Sequence, residues 1–122
     1  MTRERLDLGK LGEDLALRKI RRMGYRCIAR NYRCPLGEVD IVAEEDDTLV
    51  FIEIKTRRGS SLGYAKEAVN ARKQRQLSKV ALFYCQENGC ADRRSRFDVV
   101  AVNLEGDRAR IQVIKDAFEL SY

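Results

Sequence analysis

Three charged residues interrupt two apolar segments of this 122-residue chain: Asp40 in GEVDIVA at 37–43, and Glu53 and Lys55 in FIEIKTR at 51–57. Each segment is typical of a β-strand, in which successive side chains point to opposite faces, so Glu53 and Lys55 are expected on one face. If the segments form a hairpin about the acidic turn between them, Asp40 falls opposite Glu53. The pattern therefore predicts two carboxylates close together with a lysine beside them.

Such a carboxylate pair has a chemical use. Directly opposed residues of a sheet have Cβ atoms about 5 Å apart, where like charges are destabilising. A divalent cation converts that repulsion into coordination, and Mg²⁺ or Mn²⁺ suits carboxylate oxygens while keeping water ligands. Lys55 is then placed to orient or deprotonate a water, or to stabilise charge on a phosphate. The alternative for this Glu-x-Lys pattern is solvent-facing charge on an exposed strand.

Two further acids accompany the pair. Glu38 is expected on the same face of its strand as Asp40 and opposite Lys55. Glu13 lies on the first predicted helix, from which it can point towards the two strands, although an exposed helical acid fits its pattern equally well. The candidate catalytic residues are therefore Lys55, Glu53, Asp40 and Glu13, and the last three of these are the candidate metal ligands.

Seven elements must position these residues. Apolar residues at near-helical spacing (Leu8, Leu11, Leu15, Ile20, Met23) predict a helix over 8–23. Residues 57–66 are expected to form a mobile loop before a second helix, on which Val69, Leu77, Val80, Ala81 and Tyr84 share a face. The order α-β-β-β-α-β-β predicts one α/β domain over 1–122, with a mixed central β-sheet flanked by helices. The other predicted bounds are 25–33, 38–44, 48–56, 96–104 and 108–115 for the strands and 67–88 for the second helix.

Charge is distributed unevenly along the chain, whose net charge is +5. Residues 1–36 hold ten bases and four acids, residues 37–54 hold seven acids and no base, and residues 55–98 hold eleven bases and four acids. Basic surface is the usual footprint of a protein that binds phosphates, and a solubilising surface is the alternative. The candidate nucleic-acid-binding residues are Arg57, Arg58, Lys66, Arg72 and Lys73.

The cysteines and the hydropathy bear on compartment. The chain has four cysteines, none in Cys-x-x-Cys spacing, and no histidine, so a zinc site is disfavoured and reduced thiols are expected. No apolar run approaches the roughly 20 residues that a bilayer requires. We therefore expect a cytoplasmic protein without a membrane partner.

Several of these segments together resemble a known family. GKLGE at 9–13, NYR at 31–33, GEVDIVA at 37–43 and FIEIKTR at 51–57, with EAV at 67–69, Lys73 and FDVV at 97–100, look like the YraN-like family of small bacterial proteins. That family is similar to archaeal Holliday-junction resolvases of the restriction-endonuclease-like, PD-(D/E)XK superfamily. The resemblance implies a restriction-endonuclease-like core, Asp40 and Glu53 as metal ligands, Lys55 as the catalytic lysine and Glu13 as the helical acid. Val39 replaces the superfamily's proline before Asp40.

The sequence thus favours an endonuclease that uses Mg²⁺ or Mn²⁺ to hydrolyse phosphodiester bonds in DNA, with branched or structured DNA as the expected substrate. One alternative is a catalytically inactive nucleic-acid-binding module or adaptor in repair or recombination. Another is a protein-interaction domain whose charges are surface only. Resolvase-like proteins act as dimers, so the resemblance also raises a homodimer, which suits a two-fold symmetric substrate.

Overall fold

The computed structural model describes residues 3–58 and 69–120, with side chains from residue 7 onward. Two helices and five strands follow one another in the predicted order α-β-β-β-α-β-β. The elements are α1 (Arg3–Arg22), β1 (Arg26–Cys34), β2 (Gly37–Glu45), β3 (Thr48–Arg58), α2 (Ala71–Glu87), β4 (Ser95–Glu105) and β5 (Arg108–Phe118).

The strands form one mixed sheet in the order β1-β2-β3-β4-β5. Adjacent strands are antiparallel except β3 and β4, which are parallel. Parallel neighbours need a long crossover connection, and the segment that contains α2 supplies it. The sheet is mixed because hairpins join the first three strands and the last two.

A hydrophobic cluster covers each face of the sheet. On the face called here the α1 face, Ala16, Leu17 and Ile20 pack with strand residues such as Ile52 and Val100. On the α2 face, α2 packs its apolar side against the other set of strand residues. The α2 cluster includes Val69, Leu77, Val80, Ala81 and Tyr84, as predicted, together with Val39, Val42, Leu49, Phe51, Phe97 and Val99.

Both helices begin at residues other than those predicted. α1 starts five residues earlier, at Arg3, and its buried residues include Gly12, Ala16 and Ile20, at a spacing of four. Leu11 and Met23 were predicted to face the core, but they are 48% and 37% exposed because they lie off that line.

The second helix begins at Ala71, whereas the prediction was residue 67. Asn70 provides the N-cap: its backbone is extended, and its side chain accepts a hydrogen bond from the Lys73 N–H at 2.9 Å. A cap of this kind fixes the first turn because the initial N–H groups of a helix have no partner within it. Residues 67 and 68 of the predicted helix lie outside the described residues.

β2 changes face at Asp40. Val39 belongs to the α2 cluster and Ile41 to the α1 cluster, although residues two apart in a regular strand share a face. The neighbouring strand is irregular at the same level, since Asn31 of β1 has a φ of 51°. The prediction that Glu38 and Asp40 share one face is therefore wrong, because the alternation on which it rested is broken between them.

Candidate metal centre and its surroundings

Asp40 lies where the β2–β3 ladder ends. The predicted hairpin register is confirmed from Glu45–Thr48 to Ile41–Ile52, the last backbone pair of that ladder. Beyond it, Asp40 Oδ2 accepts a hydrogen bond of 2.7 Å from the N–H of Ile54. The carboxylate thus takes the place of a backbone acceptor and is held beside β3.

Glu53 meets Asp40 through its side chain. The two carboxyls lie close to each other, as the sequence predicted. Burial and the adjacent Asp40 carboxylate raise the pKa of Glu53 to about 8, and nearby Lys73 lowers it by less. The ionised form of Glu53 is therefore disfavoured beside Asp40.

One oxygen of Glu53 has no hydrogen bond. Oε2 is buried and forms no hydrogen bond, but it has an ion-pair partner, Nζ of Lys73, at 3.3 Å. A buried carboxylate oxygen without a hydrogen bond is uncommon in folded proteins and calls for an explanation. A divalent cation held by one or two carboxylates plus water or phosphate oxygens would satisfy it, so Asp40 and Glu53 fit such an ion.

A shallow pocket of about 360 Å³ adjoins the pair. Its lining includes Glu13, Asp40 and Lys55, so the structure brings these three predicted site residues to one place. Lys55 is exposed there and pairs in the sheet with Ala101 of β4. Glu38 does not join them: it forms a 3.1 Å ion pair with Arg33 on β1, which corrects the predicted position opposite Lys55.

Glu13 is held by β1. Its Oε1 accepts hydrogen bonds from Arg30 at 2.9 Å and from Asn31 at 3.1 Å. Within residues 3–58 and 69–120, no three acidic, cysteine or histidine side chains lie close enough together to form a ready metal site. Glu13 is therefore beside the Asp40–Glu53 pair without contacting it, and sequence analysis assigned no role to Arg30 or Asn31.

Gly12 sets how closely α1 approaches the strand that carries Glu53. A Cβ built at Gly12 would lie 1.9 Å from Oγ1 of Thr56 on β3, so only glycine fits without displacement. Because Glu13 is the next residue, this close approach also determines where the helical acid stands. The Gly-Glu pair in the sequence is explained by this contact.

The predicted phosphate-binding residues occupy two places. Arg57 and Arg58 end β3, and alternation puts Arg57 on the α2 face with Glu53 and Arg58 on the opposite face. Arg72 and Lys73 lie in the first turn of α2. Lys66 and most of the predicted mobile loop lie outside the described residues.

A second charged cluster lies on the α1 face. Asp98 is fully buried and accepts hydrogen bonds from Tyr25 at 2.6 Å, from Arg96 at 2.9 Å and from the Asp116 N–H at 2.9 Å. The side chain of Arg96 is only 18% exposed and also pairs with Glu45 at 2.7 Å. Each of these acids is fully partnered, so the cluster has the character of a structural network.

All four cysteines are free, and Cys85 is buried while the other three are half-buried. Burial and the neighbouring Cys90 thiol raise the pKa of Cys85, so that thiol stays protonated at neutral pH. Neither α1 nor α2, as far as the structure describes them, combines the length and apolar character needed to cross a bilayer.

The sheet, its two flanking helices and the order of elements make this an α/β protein with the arrangement expected of a restriction-endonuclease-like core. Residues 12–102 match the family described as "Uncharacterised protein family UPF0102". The chain belongs to this family, which is the YraN-like family that its motifs resemble.

Close relatives support the assignment over almost the whole chain. A UPF0102 protein of Geobacter sulfurreducens is 51% identical over 116 residues, which cover 94% of this chain and 91% of the relative. One from Syntrophus aciditrophicus is 47% identical, with 98% and 94% covered, and one from Moorella thermoacetica is 45% identical, with 97% and 100% covered.

Proposed function

We propose that this protein is a divalent-cation-dependent endonuclease that hydrolyses phosphodiester bonds in DNA, with branched or otherwise structured DNA as its substrate. The observation that carries the proposal is the close approach of the Asp40 and Glu53 carboxyls, in which a buried glutamate oxygen has no hydrogen bond and lies 3.3 Å from the Lys73 amine. A fold selected for stability alone avoids two acids in contact and an unsatisfied buried oxygen.

Each residue of the site has a distinct task in this proposal. Asp40 and Glu53 would hold a Mg²⁺ or Mn²⁺ ion, which supplies Lewis acidity and an activated water when it is bound. Lys55, exposed in the pocket that Asp40 lines, would orient or deprotonate the attacking water and stabilise charge on the phosphate. Glu13 is the outer acid, and its carboxylate accepts a hydrogen bond from Arg30. A homodimer would present two such sites to a two-fold symmetric junction.

Cleavage assays test the proposal directly. Purified protein with Mn²⁺ or Mg²⁺ is incubated with labelled four-way junction, flap, single-stranded and duplex DNA. We expect cleavage by the wild type, and a loss of at least 100-fold in Asp40→Asn, Glu53→Gln and Lys55→Ala. Glu44→Gln is the matched control. Glu44 lies on β2, as Asp40 does, but at the opposite end of that strand, where it pairs with Arg26 and Arg93.

If the wild type cleaves none of these substrates faster than Lys55→Ala does, the nuclease proposal is refuted. The alternative is then a nucleic-acid-binding module or adaptor without turnover, which the engagement of Glu13 by Arg30 and Asn31 favours. In that case Asp40→Asn leaves DNA binding intact. Binding and cleavage measured on the same variants therefore separate the two functions.

A further inference from the structure

Among the residues that the structure describes, Lys73 on α2 rather than Lys55 contacts Glu53. Its Nζ lies 3.3 Å from the buried Oε2 of that residue. The N-cap by Asn70 fixes the backbone of this first helical turn, because the Asn70 side chain accepts a hydrogen bond from the Lys73 N–H. Lys73 is thus held where its ammonium group reaches the candidate metal ligand.

The same lysine lines a basic groove. The groove, about 630 Å³, lies between the exposed side of α2 and the turn formed by Pro35 and Leu36. It also contains Arg72, Arg75 and Lys79 and is lined by no acidic residue among those described. A path of like positive charge of this kind suits the phosphates of a nucleic-acid strand.

Close packing of the turn against the helix forms the groove. Gly37 has a φ of 141°, and a Cβ there would lie 2.7 Å from Nε2 of Gln76 on α2. The β1–β2 turn therefore meets α2 directly at Gly37, with Lys73 three residues before Gln76 on the helix. The exposed Leu36 side chain, 47% accessible, adds an apolar contact for a sugar or base.

An ammonium group and a divalent cation compete for Glu53. A Mg²⁺ ion lies about 2.1 Å from a carboxylate oxygen, so an ion on Oε2 would stand within a few ångströms of the Lys73 amine. Two cations at that distance repel strongly where water is scarce. Lysine has a flexible four-carbon stem, and the Lys73 side chain is 34% exposed, so its amine has a route towards the groove.

We propose that Lys73 occupies the cation's place at Glu53 in the metal-free protein and moves to a backbone phosphate in the α2 groove when a divalent cation binds. The proposal rests on the proposed function, since it requires both the cation and a nucleic acid. The two binding events are then coupled. Cation binding frees the Lys73 ammonium group for the groove, so the cation and the nucleic acid strengthen each other's binding.

The salt dependence of DNA binding reveals the movement. Binding of labelled single-stranded and junction DNA is measured by fluorescence anisotropy at several salt concentrations, in EDTA and in Ca²⁺, for wild type, Lys73→Met and Lys79→Met. Each phosphate contact contributes roughly 0.7–0.9 to the slope of log affinity against log salt. We expect Lys73→Met to lose one such contact in Ca²⁺ and none in EDTA, whereas Lys79→Met, two turns further along α2, loses one in both.

Equal losses for Lys73→Met in the two conditions, or no loss in either, would overturn the exchange. Absence of any wild-type binding at low salt would instead remove the proposed function. A second measurement then still tests whether Lys73 competes with the cation. The affinity of the protein for Mn²⁺ is measured without DNA, by electron paramagnetic resonance. Lys73→Met should bind Mn²⁺ at least threefold more tightly while Lys79→Met matches the wild type, and an unchanged or weaker affinity in Lys73→Met would refute the competition.

Discussion

Glu53 combines properties that a purely structural glutamate lacks. Its side chain is only 13% exposed, it lies against a second acid, and its buried Oε2 forms no hydrogen bond. Functional sites are where proteins keep acids in such surroundings, because a shifted pKa serves binding or catalysis. At the scale of the residue, Glu53 is therefore the best single indicator of what the protein does.

The raised pKa of Glu53 makes a prediction about stability and pH. The carboxyl has a pKa of about 8 in the folded protein and 4.5 when unperturbed, so the folded state binds more protons between these values. The free energy of unfolding of the cation-free protein should therefore fall as pH rises through that window. Glu53→Gln removes the effect, and we expect it to be more stable than the wild type by on the order of 2–4 kcal/mol at pH 9, with the gain vanishing near pH 4.

Urea denaturation across pH 4–9 in EDTA measures the difference. Glu44→Gln is the opposing control, because hydrogen bonds from Arg26 and Arg93 lower the pKa of Glu44, and its contribution is lost as pH falls. The two variants should thus diverge from the wild type in opposite directions at high pH. If the free energy of unfolding depends on pH in the same way for Glu53→Gln and the wild type, the pKa of Glu53 is not raised in the folded protein.

At the scale of the element, the contact between α1 and β3 positions the site. Because Gly12 has no side chain, α1 packs directly against Thr56, and Glu13 is the next residue. The break in β2 at Asp40 serves the same end, since it lets that carboxylate turn towards the N–H of Ile54. Helix and strand irregularities thus converge on the same few residues.

Gly12→Ala tests that contact. Replacing glycine by alanine inside a helix ordinarily stabilises it by up to about 1 kcal/mol. Here we expect a loss of about 1–3 kcal/mol, because the new methyl group overlaps Thr56. Gly9→Ala on the same helix is the matched control and should stabilise, since nothing lies within 4 Å of a Cβ at that position.

Thr56→Gly combined with Gly12→Ala should recover most of the loss, because it removes the atoms that the methyl group meets. Thermal and urea unfolding of the single and double variants give the interaction energy between positions 12 and 56. If Gly12→Ala stabilises as Gly9→Ala does, α1 does not pack against β3 as described.

At the scale of the whole molecule, the fully buried Asp98 contrasts with the half-buried pair of Asp40 and Glu53. Asp98 accepts hydrogen bonds from Tyr25, Arg96 and the backbone of Asp116, and so joins β4, β5 and the start of β1. Asp40 and Glu53 instead meet each other. The first arrangement stabilises the fold, and the second costs stability in the absence of a cation.

The two groups should respond differently to alanine. Asp98→Ala leaves the largely buried Arg96 without its main partner, and we expect a loss of about 3–5 kcal/mol in the free energy of unfolding. Asp40→Ala removes one hydrogen bond to Ile54 but also the repulsion with Glu53, so its loss should be under about 1.5 kcal/mol. Urea denaturation at pH 9 in EDTA, above the pKa of about 8 of Glu53, compares them, and an equal loss for both would make Asp40 a structural residue.

Much of this arrangement follows from the sequence. The apolar faces of α2 and β3, the hairpin register between β2 and β3, and the meeting of Asp40 with Glu53 all depend on short-range periodicity, which local sequence records. The face of α1 was misjudged because Leu11 and Leu15 fit a helical stripe as well as Gly12 and Ala16 do. Apolar residues alone did not show which stripe would meet the sheet.

The amino-acid sequence by itself determined the order of the elements and the pair of acids, because alternation and helical spacing act within one or two strands. Only the tertiary structure decided that Lys73 reaches Glu53, that Arg30 holds Glu13 and that Asp98 is fully partnered. The contacts of Lys73 with Glu53, of Arg30 with Glu13 and of Tyr25 with Asp98 each join separate elements, 17 or more positions apart in the sequence. They depend on helix phase and on strand irregularities. Such features are set by packing of the whole chain, which no local pattern specifies.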